Sequence, residues 1–439
     1  MQHKFIIVLI GMFVMTSLSA QEMLVKDEAV KITLENNLGI KIAKNSLEAA
    51  ANSADLLNSG YLPTITGNAG TSIDRQTTEG ELANGETRGA DGVETNRYNA
   101  SLNLNYTLFD GLGRYYDYKR FKEEYGQSEL QVRETIENTV LQLFSVYYEV
   151  ARLEENVINL KEALFVSKDR LIRAGYQFEY GQNTGLDVLN AEVNVNSDSI
   201  NLLNAEQLLR NTKRDLNLVM NRELSTNFEV DTTVAFVPNI TMENFLTQAK
   251  QNNVQMLLME KDIVISEYSM KAMKSGYLPT VGLTGSYGWN KASNNNPIAF
   301  TVSSSNSGLS AGLNLSWNLF DGGRTITNVK NAKINYQTQE LLKQQTELQI
   351  ERDINNAWDT YRNALFVLDV QEKNLQTNQN NFERTNERYK LGQVTSIEFR
   401  QAQLNLLGAR LAKSRSKYEA KLAELQMLQV GGQLLNTDF

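Results

Sequence analysis

Reactive side chains are scarce in this sequence of 439 residues. It contains no cysteine, and its one histidine is His3. Because His3 falls in the signal peptide predicted below, thiol chemistry, Cys/His zinc sites and Ser-His-Asp triads are excluded for the mature protein, and a catalytic site would have to use carboxylates or lysine alone. We expect no enzyme activity, no cofactor and no metal site.

Proline is scarce, and there is no excess of positive charge. Only 4 prolines occur, which permits very long uninterrupted helices. The formal net charge of -8 argues against a nucleic-acid partner, because such a chain would not neutralise a phosphate backbone.

The apolar run at the N-terminus is short. It covers residues 5–15, follows Lys4 and precedes the small residues Ser17, Ser19 and Ala20. This pattern predicts a secretory signal peptide, residues 1–20, that is cut after Ala20. The alternative of a retained membrane anchor is disfavoured, because the run is too short to span a bilayer as a helix. No cysteine follows the predicted cut, which excludes a lipid anchor there.

Three sequence motifs occur twice, in the same order. They are SGYLPT at 59–64 and 275–280, LFDGLGR at 108–114 with LFDGGR at 319–324, and YGQNTGLDVL at 180–189 with LGQVTSIEFR at 391–400. The chain is also too long for one ordinary core. We infer two tandem repeats, 21–220 and 245–430, with a linker or belt at 221–244 and a tail at 431–439.

Each repeat contains two segments in which apolar and polar residues alternate strictly, which is the pattern of a β-strand. In YNASLNLNYTLF, for example, Leu102, Leu104 and Tyr106 share one face, and in LSAGLNLSWNLF the matching residues are Leu313, Leu315 and Trp317. Polar, turn-rich stretches separate the strands of each pair. We therefore predict four strands of about ten residues, in two β-hairpins at about 64–108 and 280–320.

The alternation suits the strands of an outer-membrane barrel, whose lipid face is apolar and whose lumen face is polar. A soluble, half-buried sheet alternates in the same way. The signal peptide and the tyrosines and tryptophans near the strand ends favour the membrane, where aromatic residues collect at the interfaces. Four strands cannot close a barrel, and open edges are not tolerated in lipid, so the barrel must be shared between chains.

The remaining sequence is helical on an unusual scale. From Gly113 to about Gly175, and from Gly323 to about Leu391, there is no proline, and apolar residues recur every seventh position, as in Ile354, Tyr361, Leu368 and Leu375. Such a repeat predicts coiled helices, here rods of roughly 100 Å. Each rod turns back at a Gly-Gln pair, so the tips of two helical hairpins lie near 181–187 and 392–398. Gly181 and Gly392 suit helix C-termini, and Thr184, Thr395 or Ser396 suit the following N-caps.

Together the signal peptide, the duplicated YLPT and LFDG motifs and the twin helical hairpins resemble the TolC-type outer-membrane efflux family, over essentially the whole mature chain. The resemblance implies an α+β membrane protein. Each chain would contribute four antiparallel transmembrane β-strands to a shared 12-stranded trimeric β-barrel, and very long coiled helices to a periplasmic α-barrel. The homotrimer would lie in the outer membrane of a Gram-negative bacterium, in contact with outer-membrane lipid.

The resemblance also implies a function. The trimer would be the exit duct of a tripartite efflux system, and it would receive small molecules from an inner-membrane transporter and a periplasmic adaptor protein. The transporter would supply the energy, since this chain has no nucleotide-binding motif of its own.

By position, the family's periplasmic aperture corresponds to Asp187, Tyr389, Glu398 and Gln401. Glu398 stands at the first acidic position of a constricting ring, and Gln401 replaces the second acid. Tyr389 would bond to Asp187, whereas Val394 replaces the arginine of that latch. The tips would contact the adaptor through Gly181, Gln182, Thr184, Gly392, Gln393 and Thr395. An alternative role of Asp187 and Glu398 is that of ordinary helix-start acids.

Two other functions remain open at this point. The same architecture could serve type I protein secretion, which the sequence does not distinguish from small-molecule efflux. A secreted coiled-coil adhesin or spacer would explain the heptads, but not two amphipathic β-hairpins at equivalent positions.

Overall fold

The computed structural model describes residues 22–238, 241–297 and 299–437. The predicted signal peptide, residues 1–20, lies outside the described residues. The structure divides into two compact units. The first comprises the described residues up to Asn45, Leu130–Leu257 and those from Gln345 onward, and the second comprises Ser46–Glu129 and Leu258–Gln344. Each unit takes segments from both sequence repeats, so the repeats are not separate folding units.

The helices and strands follow one another in nearly the same order in both repeats. In the first repeat they are β1 (Glu22–Leu24), α1 (Lys26–Asn36), α2 (Leu38–Ser53), β2 (Thr64–Glu81), β3 (Thr87–Phe109), α3 (Gly113–Glu179) and α4 (Gly185–Met220). The linker contains β4 (Phe228–Val230). In the second repeat they are α5 (Met242–Asn252), α6 (Val254–Met273), β5 (Thr280–Asn294), β6 (Ser303–Ser316), α7 (Arg324–Lys390) and α8 (Ser396–Val430). Short 3₁₀ turns lie at Leu56–Asn58, Lys274–Tyr277 and Leu434–Asn436.

The prediction of very long helices is confirmed. Helices α3 and α7 each contain 67 residues, because proline is absent from both and each continues to a Gly-Gln turn. The heptad residues Ile354, Tyr361 and Leu368 of α7 are buried. No helix in the described ranges combines the length and the apolar character needed to cross a membrane.

A four-stranded antiparallel sheet in the second unit has the order β2-β3-β5-β6. The strands are longer than predicted: β2 has 18 residues and β3 has 23. The polar stretch between them is not the long loop that its composition predicts, since the two strands continue to pair through it and turn only at residues 82–86. Backbone pairing, which does not need apolar side chains, therefore extends the ribbon. At the other end β6 stops at Ser316, so Trp317 lies just beyond the strand in which it was placed.

The duplicated motifs contact each other where strands meet helices. The Arg114 guanidinium donates to the backbone carbonyls of Gly60, at 2.6 Å, and Thr107, at 2.8 Å, and its Nε donates to Asp110 at 2.9 Å. Gly111, with φ of 72°, lies so close to the second repeat that a Cβ there would be 2.6 Å from the Ser275 carbonyl oxygen. The motifs are thus the junctions that fix the strand ends against the helix starts.

The core of the first unit lies where the short parallel pair β1 and β4 packs on the helices. Leu24 and Phe228 are fully buried there, and Tyr147 donates a hydrogen bond to the Leu24 carbonyl at 2.7 Å. The linker continues along α8, where Glu424 accepts hydrogen bonds from the Val237 amide and the Tyr361 hydroxyl, at 2.7 and 3.2 Å. The predicted linker is therefore tied to the helices by buried polar contacts.

Candidate functional site

Both helical hairpins turn with the same backbone geometry. In the first, Gly181 has φ of 70°, and the Gln182 amide donates to the Gln177 carbonyl at 2.7 Å. In the second, Gly392 has φ of 72°, and the Gln393 amide donates to the Arg388 carbonyl at 2.9 Å. A left-handed residue after the last helical turn suits glycine, and the six-residue hydrogen bond closes the helix end. The expected glycine C-caps are confirmed.

Capping boxes start both returning helices. The Glu398 carboxylate accepts from the Thr395 amide at 2.7 Å and from its hydroxyl at 2.9 Å, while the Glu398 amide donates to that hydroxyl at 3.2 Å. Asp187 accepts in the same way from the amide and hydroxyl of Thr184, at 3.1 and 2.8 Å. The hydrogen bonds from the Thr395 amide and hydroxyl lower the pKa of Glu398. Both acids therefore stabilise helix starts and are held at the hairpin turns.

Tyr389 packs within its own hairpin. Its ring stacks on the buried Phe399 with centroids 4.6 Å apart and planes at 23°. Among the described residues of this single chain no hydrogen bond joins Tyr389 to Asp187, so the suggested latch is not formed within one chain. The Gln401 amide donates to Asn405 of the next turn at 2.8 Å, which leaves Gln401 on the exposed face of α8.

A buried polar cluster close to the turns was not anticipated from the sequence. We call Ser167, Arg170, Asp198, Arg400 and Gln403 the tip cluster. Arg400 binds Asp198 with two parallel hydrogen bonds of 2.7 Å, and the Ser167 hydroxyl donates to the same carboxylate at 2.6 Å. The Gln403 side-chain amide donates to the Ala163 carbonyl at 2.9 Å. The cluster thus ties α8 to both helices of the first hairpin.

Positive charge exceeds negative charge inside the tip cluster. Arg170 is 2% exposed, and its Nε and Nη2 have no hydrogen-bond partner among the described residues. Burial, and then the positive charge of Arg400, lower the pKa of Arg170. Asp198 is therefore the one carboxylate in the cluster, and it offsets the buried guanidinium group of Arg170 and the half-buried one of Arg400.

One sequence signal could have revealed the tip cluster. The buried positions of α3 follow one another at intervals of three and four residues, and Ser167 and Arg170 occupy two of them, in the series Leu160, Ala163, Ser167, Arg170 and Ala174. A charged residue at a core heptad position requires a buried partner. That signal points to the need for an acid without identifying Asp198.

The strand register places five of the six predicted lipid-facing residues on one side of the sheet, and the sixth, Trp317, lies beyond the end of β6. Directly paired residues share a face, and Leu102 pairs with Tyr287, Leu104 with Gly285, and Tyr106 with Leu283. Leu283 pairs in turn with Leu313, and Val281 with Leu315. One face is therefore apolar across β3, β5 and β6, whereas Asn314 points to the other face, together with its cross-strand partners Gly282 and Thr107.

The chain matches one family model over most of its length. Residues 29–222 and 245–433 match the family described as outer membrane efflux protein. The two matched segments correspond to the two repeats, and the gap between them falls in the linker.

Curated relatives are distant but extensive. The outer membrane efflux protein BepC of Brucella suis is 22% identical over 406 residues, which cover 91% of this chain and 83% of that protein. The outer membrane protein TolC of Vibrio cholerae is 23% identical over 315 residues, 71% of this chain and 72% of that protein.

Solved structures share the fold. The CmeC outer membrane channel of Campylobacter jejuni aligns with a TM-score of 0.77 at 20% identity, covering 93% of this chain and 86% of that one. VceC of Vibrio cholerae aligns with a TM-score of 0.74 at 16% identity, over 93% and 96% of the two chains. The open state of the MtrE channel of Neisseria gonorrhoeae gives 0.70 at 17% identity, over 95% and 94%.

Proposed function

Because this chain belongs to the outer membrane efflux protein family, we propose that three copies assemble into one duct, a 12-stranded barrel continued by a helical tunnel. The chain is an outer-membrane protein, its helical part is periplasmic, and it is the exit duct of tripartite efflux. A secreted adhesin is not compatible with this membership.

The observation that carries the trimer is the open sheet. Strands β2 and β6 are the edges of the four-stranded sheet, so each offers unpaired amide and carbonyl groups along one side. In lipid each such group costs several kcal/mol, and known closed barrels begin at eight strands. Joining β2 of one copy to β6 of the next removes every edge. Three copies give twelve strands and an open lumen, whereas two copies give eight strands and a barrel filled by side chains.

Exposed apolar rows on the helices support the same assembly. Leu186, Val193 and Ile200 lie seven residues apart on α4 and are 65%, 65% and 58% exposed in the single chain. Ile158, Phe165 and Ile172 form a similar row on α3. Rows at heptad spacing are the surfaces that coiled helices bury against a partner. We assign these rows to contacts between copies.

The hairpin turns then form the periplasmic entrance. In this proposal Asp187, Tyr389, Glu398 and Gln401 line the aperture, and the Gly-Gln turns with Thr184 and Thr395 contact the periplasmic adaptor. An inner-membrane transporter behind that adaptor supplies the energy. Three Glu398 carboxylates on one axis would favour cations, because like charges focus their field in a narrow, poorly hydrated opening.

Disulfide cross-linking tests the trimer, and the native chain has no cysteine to interfere. Ser72 on β2 is level with Ser304 on β6 through the register, with two strands between them. Ser72→Cys and Ser304→Cys are therefore too far apart to bond within one chain, since a disulfide needs Cα atoms closer than about 7 Å. Closing a barrel staggers neighbouring strands, so Ser304→Cys is paired in turn with a cysteine at every second position of β2, Ser72 included, and we expect one of these doubly substituted proteins to form a ladder that ends at the trimer on oxidation. Each single substitution is the control and should stay monomeric in SDS.

A ladder that stops at the dimer, or continues beyond the trimer, would contradict the assembly. Transport is tested separately, by ethidium accumulation in cells that lack the protein. Re-expression of the native chain should lower accumulation. If it instead restores export of a secreted protein and leaves ethidium unchanged, the duct serves protein secretion.

A further inference from the structure

Basic residues gather near the starts of the two longest helices. The first turns of α1, α4, α5 and α8 contain the acids Asp27, Glu28, Asp187, Glu243 and Glu398. The first turns of α3 and α7 contain none. The first twelve residues of each contain several basic residues, namely Arg114, Lys119, Arg120 and Lys122 in α3, where Asp117, Glu123 and Glu124 also occur, and Arg324, Lys330 and Lys333 in α7.

The starts of both helices are capped within the chain, because Asp110 accepts a hydrogen bond from the Arg114 amide at 3.0 Å and Asp321 accepts one from the Thr325 amide at 2.9 Å. The N-terminus of a helix carries a partial positive charge, so cations close to it are repelled. The chain as a whole is acidic, with a net charge of -8, so the concentration is a local one. Both helix starts lie in the second unit, directly after the strands β3 and β6. An external negative surface at the strand ends would therefore meet the basic residues that lie beyond the capped first turns.

Aromatic rings accompany the lysines between α3 and α6. We call Tyr115, Tyr116, Lys119, Tyr268 and Lys271 the basic-aromatic patch. The Lys119 ammonium lies 4.7 Å from the centre of the Tyr115 ring and 5.7 Å from that of Tyr268. Lys271 lies 5.4 Å from the centre of the same Tyr268 ring and 5.9 Å from that of Tyr116. Two cations thus approach one ring, and of these Lys271 is paired with Glu267.

Unlike Lys271, Lys119 of the patch and Lys122 beside it are not paired with an acid of the described residues. Neither Lys119 nor the neighbouring Lys122 forms an ion pair with a carboxylate in the part of the chain that the structure describes. By contrast, Arg114 and Arg120 are engaged by Asp110, Asp117 and Glu124. Lys119 and Lys122 are therefore available to an anion outside the chain.

Lys119 lies at about the distance from the strands at which lipid headgroups are expected. Lys119 is six residues into α3, which begins at Gly113, so it lies roughly 9 Å along the helix from the end of the sheet. A bilayer has a hydrocarbon core of about 30 Å within a total of about 40–45 Å, which leaves about 5–8 Å of headgroups on each side. The flexible side chain of Lys119 is long enough to reach back from this height into the headgroup layer. Tyrosine is enriched in the same layer.

We propose that the basic-aromatic patch, with Lys122 beside it, binds the phosphate groups of anionic phospholipids in the periplasmic leaflet of the outer membrane. The lysines neutralise the phosphates and the tyrosine rings lie among the glycerol and upper acyl groups. The binding fixes the depth at which strands give way to helices. It rests on the membrane location of the chain and not on transport, so its failure would leave the efflux assay unchanged.

The test uses the full-length protein in nanodiscs of phosphatidylethanolamine with phosphatidylglycerol as the probe. Native mass spectrometry then counts the phosphatidylglycerol that stays bound. The variant is Lys119→Gln with Lys122→Gln. The control, Lys168→Gln with Lys373→Gln, removes the same charge from parts of α3 and α7 in the first unit. Each basic residue at an anionic surface contributes about fivefold in affinity, so we expect a loss of about 25-fold for the variant and little for the control.

Further measurements separate binding of a lipid from binding of a small anion and from a loss of assembly. Lys119→Arg keeps the charge and should retain the lipid, and 0.5 M salt should weaken binding to the native protein. Cross-linking to the trimer establishes that each variant is assembled. Binding within twofold of the native value in the Lys119/Lys122 variant would overturn the proposal, as would an equal loss in the control. Displacement of the lipid by millimolar glycerol phosphate would also overturn it, because the site would then be one for small anions.

Discussion

Replacing Asp198 with Asn is a direct test of the tip cluster. The substitution keeps the size of the side chain and removes the one negative charge that faces Arg170 and Arg400. Asp198 is 3% exposed, so water cannot replace the lost carboxylate without rearrangement. The buried guanidinium group of Arg170 and the half-buried one of Arg400 would be left without that counter-charge.

The size of the effect follows from that burial. Breaking a buried ion pair by removing one partner costs about 3–5 kcal/mol, because the remaining charge stays desolvated. For a cooperative unit of about 150–250 residues, 1 kcal/mol shifts the melting temperature by about 2 °C at the low end. Asp198→Asn should therefore lower the melting temperature by about 6–10 °C. An exposed helical pair contributes only about 0.3–0.5 kcal/mol, so Asp369→Asn, which breaks the exposed bond to Lys373, should shift it by 1 °C or less.

Circular dichroism of the detergent-solubilised protein at 222 nm measures both variants. A common heating rate is needed, since unfolding of a large assembly is irreversible and its midpoint depends on the scan. A second substitution tests the cause. Adding Arg400→Met to Asp198→Asn removes one of the uncompensated charges, so the double variant should melt above the single one. If Asp198→Asn shifts the midpoint no more than Asp369→Asn, or if the double variant melts lower than the single one, the charge argument is wrong.

Three other substitutions test the duct. In planar bilayers, Glu398→Gln should reduce the cation preference that reversal potentials measure, whereas the control Glu383→Gln, on an exposed position of α7, should not. If Glu398→Gln leaves the selectivity unchanged, Glu398 only caps the helix start. Leu313→Arg should impair membrane insertion, since a lipid-facing charge near the midplane costs about 2–4 kcal/mol, while Asn314→Arg should insert normally, as the amount of protein in membrane fractions would show; equal tolerance would mean that the assignment of the two faces is wrong. Burial alone would raise the pKa of Glu155, but hydrogen bonds from Lys417, Ser414 and Tyr418 outweigh it and lower the pKa. Glu155 therefore stabilises the fold at pH values above its unfolded pKa of about 4.3, and this stabilisation is lost as the pH falls through the lower folded pKa. The melting temperature of Glu155→Gln should therefore approach that of the native protein below about pH 4, and a gap that is constant with pH would refute this linkage.

Local signals in the sequence predicted most of the elements. The strands β2 and β5 begin at Thr64 and Thr280, directly after the duplicated YLP, and the long helices end at the two Gly-Gln turns. Each of these features depends on residues close together in the chain: a proline that precedes a strand, a glycine that adopts positive φ, or a heptad row. Such features can be inferred from one sequence because their energies are local.

Features that depend on pairing between distant segments were missed or misjudged. The outer parts of β2 and β3 contain Thr, Glu, Gly and Arg with no apolar alternation, and only the partner strand holds them extended. Arg170 stands out at a core position of α3, yet its environment comes from Asp198 and Arg400, which are far from it in the sequence. The parallel pair β1 and β4 likewise joins residues near 22 to residues near 230. One sequence shows that a buried charge needs a partner, and the fold decides which residue that partner is.

The two acids at the hairpin turns show how a structural role and a role in the aperture can coexist. In the described chain Asp187 and Glu398 each use a single carboxylate oxygen, Oδ2 and Oε2, to accept both hydrogen bonds of the capping box. The second oxygen of each carboxylate has no hydrogen-bond partner in the described part of the chain. The cap restrains the side chain, so the free oxygen has a defined position relative to the turn. It also keeps Glu398 ionised, since the hydrogen bonds from Thr395 favour the charged form. In the proposed aperture, helix capping would therefore supply a fixed negative charge whose outer oxygen is left for an ion or for a neighbouring copy.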